Sequence, residues 1–285
     1  MTILRRSALY LPASNIRAIA KARRLDADVL ILDLEDAVSP DMKAIAREHA
    51  LAALNEGEWC SRERVIRVNA LDTEWGSDDF ALVGGMDVDA VLLPKISSAE
   101  QVSAAAAALP EGTKIWAMIE TPLAILRIAE IAAASEHLPL TGFVVGTNDL
   151  AKDARIELDL DRSGLLGALG LIVLAARAYG LVVLDGVFNS IDDLEGLAKQ
   201  CRQSRALGFD GKTLIHPVQI EPCHRAFVPD PEAVAEAIAL IAMFDAKENQ
   251  GKGAIRFNGR MVERLHMVDA QRILADAKAA GQLSI

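Results

Sequence analysis

Short, continuous apolar runs recur eight times along this chain, and few folds accommodate that pattern. They are Ala8–Leu11, Val29–Leu34, Val65–Asn69, Ala90–Pro94, Ile115–Glu120, Phe143–Gly146, Val182–Asp185 and Lys212–Ile215. A strand with one wet face alternates apolar and polar residues. Runs without alternation suit parallel strands covered on both faces. Between them lie Ala-rich amphipathic stretches such as Asp41–Asn55, Ala99–Ala108, Leu123–Ser135 and Leu194–Leu207. Eight alternations predict an α/β fold of the (β/α)8 (TIM) barrel type, which needs about 250 residues. The chain has 285 residues, 52% of them apolar, which is enough for such a core. A doubly wound open sheet, built from the same units, is the alternative.

The pattern stops at Pro229 and Pro231, so residues 1–228 are expected to form the catalytic barrel and 229–285 a helical lid or oligomerisation extension. In that tail Glu232–Gln250 reads as a helix, Gly251-Lys252-Gly253 as a flexible link, Ala254–His266 as a short segment and Val268–Ala280 as a last helix. The most apolar stretch, Leu165–Leu184, is interrupted by Arg177 and by Gly180, which suits a helix end. A membrane span needs about 20 uninterrupted apolar residues, so this stretch reads as a buried helix and a buried strand, with no membrane partner expected. Arg5 and Arg6 are followed by no apolar run of signal length. The scattered cysteines Cys60, Cys201 and Cys223 suit reduced thiols, and a cytoplasmic location is expected. The net charge of −10 argues against a nucleic-acid partner but not against a phosphate-bearing cofactor, which needs only a local cluster of cations.

Barrel enzymes carry their catalytic groups at the C-terminal ends of the strands. Here those ends are polar: Asp33, Glu35 and Asp36, then Arg67 and Asn69, Lys95, Glu120, Asp149, Asp185 and His216. Glu120 and Asp149 end or follow adjacent strands and are the best metal candidates. Two carboxylates plus waters and substrate oxygens suit Mg²⁺, with Mn²⁺ as a substitute, whereas no His or Cys cluster suggests zinc. Arg67, inside an apolar strand, needs a partner or a cavity; its fork would grip a substrate carboxylate or carbonyl oxygen, or else pair with Glu35 or Asp36. Glu35 and Asp36 are expected to hold the metal's waters and Arg67. Lys21, on the first helix after Pro12-Ala13-Ser14-Asn15, would suit a phosphate group.

Six motifs in order carry a family resemblance. They are Asp33-Leu34-Glu35-Asp36-Ala37-Val38, Arg67-Val68-Asn69, Leu93-Pro94-Lys95, Ile119-Glu120-Thr121, Gly146-Thr147-Asn148-Asp149-Leu150 and Gly208-Phe209-Asp210-Gly211-Lys212 with Ile215-His216-Pro217. Together they resemble the citrate lyase β-subunit and malyl-CoA lyase (HpcH/HpaI aldolase-like) family, from about Arg6 to Ala280. The resemblance implies a (β/α)8 barrel with a C-terminal extension over a neighbour's site, in a homotrimer or homohexamer. It implies Mg²⁺ on Glu120 and Asp149, substrate on Arg67, and a CoA phosphate on Lys21; Glu35 is expected beside the substrate from the reading of the strand ends. The resemblance also implies a catalytic acid at Glu263, within Gly259-Arg260-Met261-Val262-Glu263; Arg67 and Asp36 are expected as the other catalytic groups. Most lyases of the family have aspartate where Glu263 stands. That swap, with Asp72-Thr73-Glu74-Trp75-Gly76, resembles the (3S)-malyl-CoA thioesterase branch. Ala13 and Asn15 replace the family's usual Gly and basic residue, which bears on phosphate binding. The expected substrate is a short acyl-CoA ester, and the expected reaction is hydrolysis of (3S)-malyl-CoA to malate and CoA. The alternatives are carbon–carbon cleavage of malyl-, methylmalyl- or citramalyl-CoA, a citrate lyase β component acting on a carrier thioester, and a non-catalytic binder on the same scaffold.

Overall fold

The computed structural model describes residues 3–56, 58–60 and 63–283. The ends of the two expected segments, residues 1–2 and 284–285, lie outside the described residues. Contacts divide the chain into two compact units, Arg5–Phe227 and a second that joins residues 3–4 to the segment from Val228 onward.

In the first unit eight parallel strands close in sequence order into a barrel. They are β1 (Ser7–Pro12), β2 (Val29–Asp33), β3 (Glu63–Arg67), β4 (Ala90–Leu93), β5 (Ile115–Ile119), β6 (Leu140–Val145), β7 (Val182–Asp185) and β8 (Gly211–Leu214). Successive side chains on a strand point to opposite faces, and this parity sorts the whole sequence. Ala8, Val29, Ile31, Val65, Ala90, Leu92, Trp116, Met118, Val144 and Leu184 fill the barrel interior. Leu32, Ile66, Val91, Ile119, Phe143 and Val183 point outward, under the helices. Trp116 fits because Gly142 faces it: a Cβ there would stand 3.2 Å from the indole.

Helices Lys43–Asn55, Ala99–Ala108, Leu166–Ala178 and Leu194–Leu207 cover the strands. Gly180 follows its helix with a left-handed φ of 68°, as a C-terminal cap should. The stretch expected as one helix over Leu123–Ser135 is instead Pro122–Leu126 and Ile128–Ala133, followed by a 3₁₀ turn, Ala134–Glu136. The Arg127 amide is shared among the carbonyls of Leu123, Ala124 and Ile125, which tightens and ends the first piece. No helix among the described residues is long and apolar enough to cross a membrane.

Asp185 was expected at the barrel mouth. It is not there. Leu184 takes the inward position, so Asp185 turns to the outer face, fully buried. There it accepts from both Arg162 (2.6 and 2.8 Å) and Lys212 (2.9 Å), its register partner on β8. Burial alone would raise its pKa, but Lys212 and Arg162 outweigh it and hold the group at about 2. His216 also differs from expectation. Its Nδ1 accepts the amide of Val218, capping a short 3₁₀ turn.

The second unit holds helix Pro231–Asp245, a hairpin of β9 (Ala254–Phe257) and β10 (Arg260–Glu263), and helix Arg264–Ala279. Leu240, Phe244, Ile255, Phe257 and Val262 form its core. The hairpin was not foreseen, although Asn258-Gly259 signals its turn: both residues have positive φ, 47° and 78°, as a two-residue hairpin loop requires. The expected flexible link is tied in, since Arg264 donates to the carbonyls of Lys252 and Gly253.

Asp185→Asn should destabilise the barrel by about 3–5 kcal/mol, because two buried cations lose their counter-charge. Chemical denaturation at pH 7 measures this. In the wild type the contribution of the group, whose pKa falls from 3.8 to about 2, is present above pH 3.8 and lost as pH falls through 2.

Candidate active site

At the C-terminal end of the barrel, Asp33 and Arg67 occupy paired register positions on β2 and β3, both on the inward parity. Arg67 Nε and Nη2 donate to the two Asp33 oxygens at 2.7 and 2.6 Å, a fork-to-fork pair. The same carboxylate accepts the amides of Glu35 and Ala37, fixing the turn after β2. Arg67 Nη1, which Asp33 leaves free, lies 2.9 Å from Glu35 Oε2 and 3.9 Å from Asp36 Oδ2. Its guanidinium also stacks over Tyr10 at 4.9 Å. Burial opposes the charge on Arg67, yet Asp33 and Glu35 raise its pKa well above normal, so it stays cationic. Glu35 is buried, and its pKa is raised by that burial against the pull of Arg67. Asp36 is exposed. The reading from sequence missed Asp33 as the anchor; counting parity from Ile31 would have found it.

Glu120 follows Met118 on the inward parity of β5 and is 1% exposed. One oxygen, Oε1, accepts the amide of Lys95 at 2.7 Å. The other lies against Gly146, where a Cβ would stand only 2.4 Å away. Glycine at 146 is therefore what makes room for the carboxylate. Asp149, on helix Thr147–Ala154, is half-buried and lines the same cavity of about 400 Å³ as Arg67, Asp33, Asp36, Tyr10 and Glu120. Burial pushes the Glu120 carboxyl up to about 7; the Lys95 amide and Arg67 oppose this, while Glu35 and Asp149 add to it.

Such a pair of acids fits a divalent cation. Glu120 is buried with a raised pKa, has a second carboxylate in its cavity, and has its second oxygen in a cradle that a side chain at 146 would fill. Among the described residues no three His, Cys, Asp or Glu side chains converge as a metal cluster. Were a cation held here, the protein's share would be these two carboxylates, as suits Mg²⁺, which keeps waters and substrate oxygens.

A larger cavity of about 630 Å³ adjoins this one at Asp36 and has mostly apolar walls, including Val38, Phe80, Leu93 and Ile96. The smaller cavity, lined by Arg67, Glu120 and Asp149 together, is the candidate site. Asn69 is structural: it bonds Asp79, the Leu34 carbonyl and the Lys43 ammonium. Lys21 is exposed in the last turn of the seven-residue helix Ile16–Ala22 and does not line the mouth cavity. Asn15 Oδ1 accepts the Ala18 amide at that helix's start. Glu263 ends β10 in the second unit; it is exposed, and its amide donates to His266 Nδ1.

Residues 6–217 match the family described as HpcH/HpaI aldolase/citrate lyase. The (3S)-malyl-CoA thioesterase of Cereibacter sphaeroides is 47% identical over 274 residues, covering 96% of this chain and 95% of that protein. Citrate lyase subunit beta of Escherichia coli is 34% identical over 290 residues, covering 98% and 95%. The crystal structure of CitE from Mycobacterium tuberculosis, in complex with magnesium, acetoacetate and coenzyme A, superposes with a TM-score of 0.82 at 32% identity, covering 98% of each chain.

Without a metal, ionising Glu120 costs the fold stability as pH rises from 4.5 to about 7, a loss of up to about 3 kcal/mol. Glu120→Gln should therefore raise the melting temperature of the metal-free protein at pH 8 and change little at pH 4.5. Added Mg²⁺ should stabilise the wild type at pH 8 but not the variant. A calorimetric series at the two pH values checks both.

Proposed function

This chain belongs to the HpcH/HpaI aldolase/citrate lyase family, and on that premise we propose that it is a Mg²⁺-dependent enzyme hydrolysing (3S)-malyl-CoA to malate and CoA. One observation carries the reading: a cavity that holds an arginine already clamped by Asp33 and, with it, the two carboxylates Glu120 and Asp149. Glu120 and Asp149 would hold the cation. When bound, Mg²⁺ supplies positive charge that polarises a substrate oxygen and offsets negative charge developing there.

Arg67 then binds the malyl carboxylate or carbonyl oxygen through the nitrogen that Asp33 leaves free. Because Asp33 fixes the guanidinium in advance, little order has to be created on binding. Glu35 and Asp36 orient water around Arg67 and the cation. Attack of water on the thioester carbon needs a carboxylate to take a proton. Asp36, exposed at the cavity, and Glu263, which the resemblance assigns as the catalytic acid, are the groups proposed for that transfer. Lys21 is proposed for a CoA phosphate on the resemblance alone. On the same resemblance we assign a homotrimer or homohexamer, in which the segment from 229 acts as a lid, and a cytoplasmic location.

Hydrolysis is preferred to carbon–carbon cleavage for two reasons. The C. sphaeroides relative named a thioesterase is 47% identical, against 34% for the E. coli lyase subunit. Glu263 is also one methylene longer than aspartate, and a shift of about 1 Å can change rates about a hundredfold. The lyase reading is favoured by the CitE complex with magnesium, acetoacetate and coenzyme A.

With (3S)-malyl-CoA and Mg²⁺ or Mn²⁺, malate and free CoA should dominate, and a chelator should abolish turnover. Glu120→Ala and Asp149→Ala should each lose at least about a hundredfold in rate. Chromatographic product analysis is the measurement, and stoichiometric acetyl-CoA and glyoxylate would establish the lyase instead. Glu263→Asp should raise the share of carbon–carbon cleavage. An unchanged product ratio would remove Glu263 from the choice of path.

A further inference from the structure

Lys95 follows β4 at a position whose parity points away from the mouth: Ala90 and Leu92 face inward, so position 95 falls on the outer face. Its backbone overrides this. Lys95 has a φ of 54°, in the left-handed region that a lysine occupies only at a cost. Of the other three non-glycine residues with positive φ, Arg155 caps a helix and Asn258 turns a hairpin, conventional places for this conformation, while Arg162 is held by its buried pair with Asp185. Lys95 neither caps a helix nor turns a hairpin.

Two contacts accompany the strained backbone. The Lys95 amide donates to Glu120 Oε1 at 2.7 Å. The Lys95 ammonium lies 3.4 Å from Glu35 Oε1. Glu35 Oε2 is buried and accepts no hydrogen bond among the described residues, although Arg67 Nη1 is 2.9 Å away. Glu35 is thus gripped electrostatically from two sides. Burial disfavours the Lys95 charge, but Glu35 and Asp36 outweigh it and the ammonium's pKa is raised. A glycine at 95 would adopt the same backbone without strain. A lysine there adds a charge at the one spot where Glu35 needs a second cation.

We infer that Lys95 is a positioning residue of the candidate metal site: its left-handed amide pins one oxygen of Glu120, which keeps the other on the Gly146 side, and its ammonium holds Glu35 opposite Arg67. The inference rests on the metal reading of Glu120 proposed above. It assigns the two roles to different parts of one residue, so substitutions can separate them. Lys95→Gly keeps the backbone and removes the charge. Lys95→Val removes the charge and also opposes the backbone, since β-branched residues tolerate positive φ least. Lys95→Arg keeps a cation.

The test is Mn²⁺ binding to the full-length protein without substrate, read by electron paramagnetic resonance, with circular dichroism confirming the fold of each variant. Lys95→Gly should bind Mn²⁺ within about threefold of wild type, and Lys95→Val about tenfold or more weakly. Should Lys95→Val not fold, Lys95→Ala replaces it, with a smaller loss in the same direction. In turnover, Lys95→Gly should lower kcat about tenfold with KM nearly unchanged, and Lys95→Arg should recover most of it. Equal Mn²⁺ affinities in the glycine and valine variants, beside a wild type that binds, would overturn this inference alone. A wild type that takes up no Mn²⁺ would overturn the metal reading and this inference with it.

Discussion

The mouth of this barrel depends on one buried ion pair, Asp33 with Arg67. Taking a guanidinium out of water costs several kcal/mol unless a partner of matching geometry meets it. Asp33 is that partner because β2 and β3 pair with these residues in register and both point inward. A slip of one residue would send either charge into the shell of helices. Asp33 also accepts the amides of Glu35 and Ala37, so the same carboxylate that neutralises Arg67 folds the loop carrying Glu35 and Asp36. Closing the loop and aiming the arginine are therefore one event.

Parity sorts the remaining charges into two clusters. Asp33, Arg67 and Glu120 follow inward positions and meet at the mouth, whereas Asp185 and Lys212 follow outward positions and are sealed beneath helices with Arg162. The electrostatics of the two clusters differ accordingly. Asp185 and Glu120 are both buried, yet one carboxyl is held at about 2 and the other is pushed up to about 7. Two cations in direct contact hold the first down; at the second, burial with Glu35 and Asp149 outweighs the Lys95 amide and Arg67. A buried acid whose charge the protein leaves poorly compensated is a group that awaits something else, which is the physical sense in which perturbed acids mark sites.

Much of this was legible in the sequence. Unalternating apolar runs located each strand to within about three residues, because burial on both faces leaves no polar positions to blur them. Arg67, Glu120 and Asp149 were legible because charge at the end of an apolar run is conspicuous. The facing of a strand-end charge was less so: Asp185 and Glu120 look alike in the chain until one counts back to Leu184 and Met118. Asp33 was passed over for Glu35 and Asp36 for the same reason. The left-handed backbone of Lys95 carries no local signature, since it arises from a contact with a residue 25 positions away. The tail hairpin did have one, in Asn258-Gly259, which was outweighed by the weak alternation of its short strands.

The contrast between Glu120 and Asp185 also shows what a lysine paired directly to Glu120 would do. A side-chain ammonium there would stabilise the fold, as Lys212 does for Asp185, but it would occupy the oxygen that Gly146 leaves room for. Lys95 offers Glu120 its amide, while its ammonium lies 3.4 Å from Glu35 Oε1. An amide is a fixed dipole: it orients one carboxylate oxygen without neutralising the group. The carboxylate is thus placed but not satisfied, and the fold is less stable at neutral pH for it. Marginal stability spent at one buried acid is tolerable because the Asp33–Arg67 and Asp185–Lys212–Arg162 clusters fix the surrounding strand ends independently of it.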